Sequence, residues 1–273
     1  MGKQRSAQCN QLQLRHQNRK PAKGKRNQQT VVNDRWGEKY EQGKQVSEKH
    51  HMSRLQFVLD NPIKPMNSKQ AIYLNNLRTK PYNVATGYAG SSKTYLATRV
   101  AIEEFLKGNI DKIVIARPAV SDSKSLGFFG GSKEEKVRNW ILPVLEVLEE
   151  FLGASYVDYL IAKGVIEGVP LETIKGRSFK NCFIICDEAE DLKKSEVIKC
   201  ITRLGTGSTI VFAGDVRQVD IKESGLKFVI EDLVERDTLK GLWGFVDFDQ
   251  YDEIVRSVAV KKTIIELSKM GEM

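Results

Sequence analysis

The chain has 273 residues, 41% hydrophobic and 29% charged, and carries a net charge of +8. That length and balance suit one globular domain with a sizeable core. No run approaches 18 consecutive apolar residues and the basic N-terminus lacks a secretory apolar stretch, so a cytoplasmic protein with no membrane contact is expected.

The charge is uneven. Residues 1–54 hold 13 Lys and Arg against 4 Asp and Glu, whereas residues 55–273 are nearly neutral at −1. All three histidines, His16, His50 and His51, lie in the first segment. The remainder therefore has no imidazole, which argues against zinc hydrolases and Ser-His-Asp triads. Cys9, Cys182, Cys186 and Cys200 form no C-x-x-C pair, and the sequence places them as buried thiols of a reducing compartment.

Residues 1–54 read as a basic tail. Its first 50 residues are rich in Gln, Asn, Lys and Arg and lack periodicity, so disorder is expected. Such a tail either attaches electrostatically to nucleic acid or is simply solvated.

From residue 55 structured elements follow. Ser68 is placed as the cap of a helix to about Leu77. Asn83–Thr86 reads as a strand and Lys93–Leu106 as a helix. Lys112–Ala116 is a β-branched strand, and Glu134–Leu152 a helix kinked near Pro143. Asn181–Cys186 and Ser208–Ala213 are apolar strands. Lys194–Leu204 and Gly225–Glu235 read as helices, Phe245–Phe248 as a strand, and Asp252–Leu267 as a closing helix. Strands alternating with helices predict a single α/β domain over 55–273, with a parallel sheet covered on both faces.

Gly87-Tyr88-Ala89-Gly90-Ser91-Ser92-Lys93-Thr94 lies between a predicted strand and helix, the context that G-x-x-x-x-G-K-[ST] requires. Glycines let the backbone N–H groups point at phosphate oxygens, and the following helix adds its positive end. Lys93 then reaches the β- and γ-phosphates of ATP and Thr94 holds Mg2+; Tyr95, which follows, is counted with the loop. One departure stands out: the residue before the lysine is Ser92 rather than glycine, a cost if the backbone there is unusual.

Phe183-Ile184-Ile185-Cys186 runs into Asp187-Glu188. At a strand exit Asp187 is placed to hold Mg2+ and Glu188 to deprotonate a water. A helix cap is the plain alternative for a lone acidic pair, but a phosphate loop upstream favours the metal. A third strand ends at Gly214-Asp215-Val216-Arg217-Gln218, where Gln218 is the candidate γ-phosphate sensor.

This ordered series resembles the PhoH family of ATPases, related in fold to superfamily 1 helicases. It runs through the phosphate loop, Arg117-Pro-Ala-Val120, Leu126-Gly-Phe-Phe-Gly130, Glu135-Lys-Val137, Gly176-Arg-Ser178, Asp187-Glu-Ala189, Thr202-Arg-Leu-Gly205, Gly214–Gln218 and Asp252-Glu-Ile-Val-Arg256, over roughly residues 60–268. The resemblance implies a RecA-like P-loop NTPase fold with a central parallel sheet flanked by helices. It places Gln70 where related helicases read adenine, makes Arg203 and Arg256 candidate arginine fingers in a ring, and sets Arg117 beside the nucleotide or a nucleic-acid channel. Glu190 stands where relatives often carry glutamine. The compact form, with no PIN-type nuclease domain expected, is similar to single-domain versions in bacteria and phages. The implied activity is a Mg2+-dependent ATPase acting on or regulated by RNA or single-stranded DNA, with unwinding requiring a homo-oligomer; the alternative is a nucleotide-dependent switch or assembly protein with low turnover. A metal-dependent nuclease is a weaker reading, because the core carboxylates are already used.

Overall fold

The computed structural model describes residues 52–117, 138, 141–174, 176–219 and 221–271. The tail through residue 51, Cys9, the histidines and the family motifs within residues 118–137 lie outside the described residues.

The centre is a six-stranded sheet in which every neighbouring pair is parallel. Its strands are β1 (Tyr82–Gly87), β2 (Lys112–Arg117), β3 (Ile166–Pro170), β4 (Cys182–Cys186), β5 (Thr209–Ala213) and β6 (Trp243–Phe248). They lie in the order β3-β2-β4-β5-β1-β6. The phosphate-loop strand β1 is thus separated from the acidic-pair strand β4 by β5, the RecA-like arrangement the resemblance implied. Ligands of such sheets bind beyond the carboxyl ends of the strands. Gly87, Arg117, Asp187 and Gly214 all stand at those ends.

Period-two alternation sends the strand side chains into two cores. Ala85, Ile113, Ile115, Phe183, Ile185 and Val211 face α1 (Ser68–Thr79), α2 (Lys93–Lys107), α3 (Leu142–Leu152) and α4 (Ala154–Ala162). Val84, Val114, Ala116, Ile184, Cys186 and Phe212 face α5 (Lys194–Ile201) and α6 (Gly225–Phe228). Burying each such large aliphatic or aromatic chain contributes about 1.5–3 kcal/mol. Both faces being covered explains why these strands read as continuous apolar runs.

Several boundaries differ from the sequence expectation. The side chain of Asn67, not Ser68, accepts the Gln70 N–H and caps α1. Pro143 sits in the first turn of α3, where its missing N–H costs nothing; of the helix expected over 134–152, residues 134–137, 139 and 140 lie outside the described residues, and residue 138 is helical. The helix expected over 225–235 is four α residues followed by a π-helical stretch, Val229–Val234. The closing helix is split into a 3-10 turn, Tyr251–Glu253, and α7 (Val258–Met270), capped by the Ser257 side chain. Residues in the break reach the phosphate loop: the Val255 N–H donates to the Gly90 carbonyl at 3.0 Å. Helical residues 52–60, α4 and β3 were not anticipated. Cys182, Cys186 and Cys200 are free and buried, as expected, and burial pushes the Cys182 thiol up to about 11.

Candidate active site

The loop between β1 and α2 is shaped by steric demands that the sequence meets unequally. Gly87 has φ +124°, and a Cβ there would lie 2.2 Å from the Phe248 carbonyl oxygen, so only glycine lets β1 leave the sheet beside β6. Ser92 has φ +68° and ψ +23°, the left-handed region, and its side chain makes no cap bond to the helix. The serine that departs from the motif is thus the one residue of the loop that holds a strained backbone without being glycine.

Behind Ser92, Lys93 opens α2. Its ammonium donates to the Gly87 carbonyl at 2.6 Å and the Tyr88 carbonyl at 3.1 Å. Burial pulls its pKa below the ordinary lysine value, against the opposing pull of Asp215, Glu190 and Asp187. The neighbouring hydroxyl of Thr94 donates to Asp187 Oδ1 at 2.6 Å. That bond joins the first turn of α2 to the end of β4, across the width of β5. Asp187 is only 7% exposed, and burial raises its carboxyl pKa, offset by the Thr94 hydroxyl and Arg117.

Glu188 follows in the left-handed region, φ +53°, with nearly half of its side chain exposed. Arg117, at the end of β2, donates to Glu188 Oε1 at 2.9 Å and lies 3.8 Å from Asp187. The peptide turn at Glu188 then brings Glu190 back over β5. Its carboxylate accepts the Asp215 N–H at 3.2 Å, and a Cβ on Gly214 would collide with it. Burial, reinforced by Glu188, raises the Glu190 pKa to about 8.

Ser92, Lys93, Thr94, Asp187, Glu188, Glu190 and Asp215 line one cavity of about 480 Å3, shared by Ala89, Gly90, Tyr95, Gln218, Arg256 and the α3 residues Glu146 and Val147. Arg256 packs its side chain against Gly90, held there by the Val255 bond. Beside the loop, the Arg217 guanidinium lies 3.6 Å over the Tyr88 ring, and Tyr88 packs on Tyr251 at 4.9 Å. Gln70 is buried in α1 at 1% exposure; its Oε1 accepts the Met66 N–H and its Nε2 has no partner.

The PhoH-like protein family matches residues 62–268. The chain belongs to this family. It is 35% identical over 211 residues to a PhoH-like protein of Bacillus subtilis, covering 77% of this chain and 64% of that protein. It is 32% identical over 206 residues to Protein PhoH of Escherichia coli, covering 75% and 58%. The chain thus spans about three-fifths of the length of these PhoH relatives. Among solved structures, the Hef helicase domain of Pyrococcus furiosus aligns at 10% identity and a TM-score of 0.39, over 68% of this chain and 38% of that one; a likeness so slight carries no argument.

The PhoH resemblance read from the motifs therefore holds, and with it a P-loop NTPase fold. Residues Gly87–Tyr95, Asp187, Glu188, Gln218 and Arg256 converge at the strand ends. Arg203 does not. It lies on the turn after α5, its carbonyl bonded to the Phe179 N–H near the start of β4, at the opposite end of the sheet. Gln70 is not a lining residue of the cavity either. The sequence did not single out Asp215, Arg217 or Tyr251. Asp215 and Arg217 lay inside the Gly214–Gln218 motif, but the packing of Arg217 and Tyr251 on Tyr88 joins segments far apart in the chain.

Proposed function

We propose that this PhoH-like protein is a Mg2+-dependent ATPase that acts on, or is regulated by, RNA or single-stranded DNA. The observation that carries the ATPase reading is the 2.6 Å bond between Thr94 and Asp187, with Glu188 adjacent and Lys93 behind it. The donor set fits the ion: one hydroxyl and one carboxylate are oxygen ligands, leaving positions for water and phosphate, as Mg2+ prefers. Among the described residues no cluster of three or more His, Cys, Asp or Glu is placed to hold a metal, which is consistent with an ion brought in with the nucleotide.

Bound Mg2+ would neutralise phosphate charge as it develops. The chain's own residues do the rest. The loop N–H groups and Lys93 hold the phosphates, while Thr94 and Asp187 position the ion. Glu188 accepts the proton of the attacking water, Gln218 orients that water, and Arg256 stabilises charge on the transferred phosphoryl group. Arg203, at the far end of the sheet, serves as a finger only toward a neighbouring copy, which makes a ring or stack part of this proposal. The basic tail, +9 over residues 1–54, supports a nucleic-acid partner.

A second reading, a nucleotide switch with low turnover, is favoured by two details. Ser92 strains the loop, and Arg117 ties up the carboxylate of Glu188. An ATPase assay with and without RNA and single-stranded DNA, at two salt concentrations, separates the readings. Turnover stimulated by nucleic acid and suppressed by salt supports the motor. ATP binding with turnover near background, whatever is added, supports the switch.

A further inference from the structure

The end of the sheet opposite the phosphate loop holds a second cavity, of about 710 Å3. It opens where β2 and β4 begin, and α4 forms one wall. Lys112, Lys163, Arg177 and Lys180 line it, with the rings of Tyr159 and Phe179. The concentration of charge is local, because residues 55–273 together are slightly acidic. It is also opposite in sign to the nucleotide cavity, where Glu146, Asp187, Glu188 and Asp215 outnumber Lys93 and Arg256.

The cations divide into two kinds. Glu167 accepts two bonds from Arg177, at 2.8 and 2.7 Å, and one from Lys112 at 3.0 Å. This fixes one cationic wall, and Arg177 additionally lies 5.0 Å over the Phe179 ring. Lys163 and Lys180 are exposed and form no ion pair among the described residues; Asp111, which accepts from the Asn181 amide, is the one carboxylate beside four cations in the lining. Tyr159 is 41% exposed, stacks on Tyr156 at 11° between planes, and has the Lys163 ammonium 5.6 Å from its ring. A large exposed ring held by a neighbour, beside two lysines that form no ion pair among the described residues, is the combination that takes a planar base and its phosphate.

We propose that this groove binds a single strand of RNA or DNA, with phosphates on Lys163 and Lys180 and a base on Tyr159. The inference rests on the nucleic-acid part of the proposed function and gives it a location. A duplex keeps its base faces stacked and offers none to Tyr159, which favours a single strand. The volume falls in the range of about 300–1,000 Å3 that encloses one small-molecule-sized unit. A free nucleotide shares this chemistry, and the experiment separates the two. Since β2 and β4 run from the groove to Arg117 and Asp187, the bound strand would lie about 15–20 Å from the nucleotide site, one strand length.

The test uses the full chain and fluorescein-labelled oligo-U and oligo-dT, with anisotropy read at several salt concentrations. The variants are Lys163→Glu/Lys180→Glu and, separately, Tyr159→Ala, all exposed positions. A fluorescent ATP analogue measures the nucleotide site in parallel. The double variant is expected to bind oligonucleotides at least about tenfold more weakly. Its log–log salt slope is expected to be shallower by about 1–1.5, since each phosphate neutralised on a single strand accounts for about 0.7. Tyr159→Ala is expected to weaken binding at every salt concentration with little change of slope. ATP-analogue binding is expected to stay unchanged in both. Photo-crosslinking of a 4-thiouridine oligonucleotide is expected to label the peptide carrying Tyr159. Wild-type oligonucleotide binding that the double variant retains in full, with crosslinks confined to the tail, overturns the groove alone. AMP binding that disappears in the double variant, while oligonucleotide binding is fully kept, overturns it in favour of a free nucleotide. No oligonucleotide binding by the wild type overturns both the groove and the nucleic-acid part of the function.

Discussion

At Ser92 the loop holds a non-glycine residue in the left-handed region, which costs about 1–2 kcal/mol. Glycine would remove that cost but add about 0.5–1 kcal/mol of unfolded-chain freedom. Ser92→Gly is therefore expected to stabilise the protein by up to about 1 kcal/mol, read as a higher urea midpoint; a clear loss would show that the hydroxyl has a role the geometry does not reveal. Glu190 makes a different kind of prediction. Its folded pKa, about 8, lies above the unfolded carboxyl value near 4.5, so between these values the folded state binds more protons than the unfolded one. Stability then falls as pH rises through this window. Glu190→Gln keeps the shape and removes the titration. Thermal melts from pH 5 to 9 are expected to show a decline for the wild type and a flatter curve for the variant; parallel curves would mean Glu190 stays charged throughout. A protonated Glu190 resembles glutamine in shape and hydrogen bonding, which makes Glu190→Gln the matched control. The sequence showed that Ser92 and Glu190 were unusual. It did not show their backbone angle or burial, because both depend on how β4, β5 and the loop meet.

Among the elements, the packing of α1, α2 and the segment before α1 rests on one buried carboxylate. Glu103 on α2 accepts the Ile63 N–H at 2.6 Å, pairs with Arg78 at 3.0 Å and lies 3.6 Å from Arg99. Arg99 is itself buried, stacked 3.8 Å over Phe151 of α3, with Nε and Nη1 lacking hydrogen-bond partners. Removing the carboxylate leaves that cation almost uncompensated. Glu103→Ala is expected to cost about 3–5 kcal/mol, while a further Arg99→Met change recovers a large part of it. If Glu103→Ala costs less than about 1 kcal/mol, the network is not holding these helices together. Elements were legible where one signal dominated. Strands β1, β2, β4 and β5 declared themselves because both faces are covered. Strand β3 did not, because Ile166-Glu-Gly-Val-Pro170 contains two residues, Gly168 and Pro170, that strands avoid. The split in the closing helix was also hidden. Within the break Val255 bonds to Gly90, a contact between residues far apart in the chain.

Over the whole molecule, the two ends of one parallel sheet carry opposite electrostatic characters. The carboxyl ends gather the phosphate loop, the acidic pair and the segment Gly214–Gln218; the amino ends gather Lys112, Lys163, Arg177 and Lys180. The first set was legible because its residues sit in short contiguous motifs whose spacing the chemistry dictates. The second was not, because its members come from β2, α4 and the segment before β4 and meet only in the fold. Whether the first end hydrolyses ATP turns on Glu188→Gln, which removes the proposed base while keeping its size and its position beside Arg117. Measured together, ATP-analogue affinity and steady-state phosphate release are expected to separate: affinity within about threefold of wild type, and turnover lower by about 10²–10⁴-fold. Turnover equal to wild type in Glu188→Gln would refute the assignment and pass the role of base to another lining carboxylate, of which Glu146 is exposed.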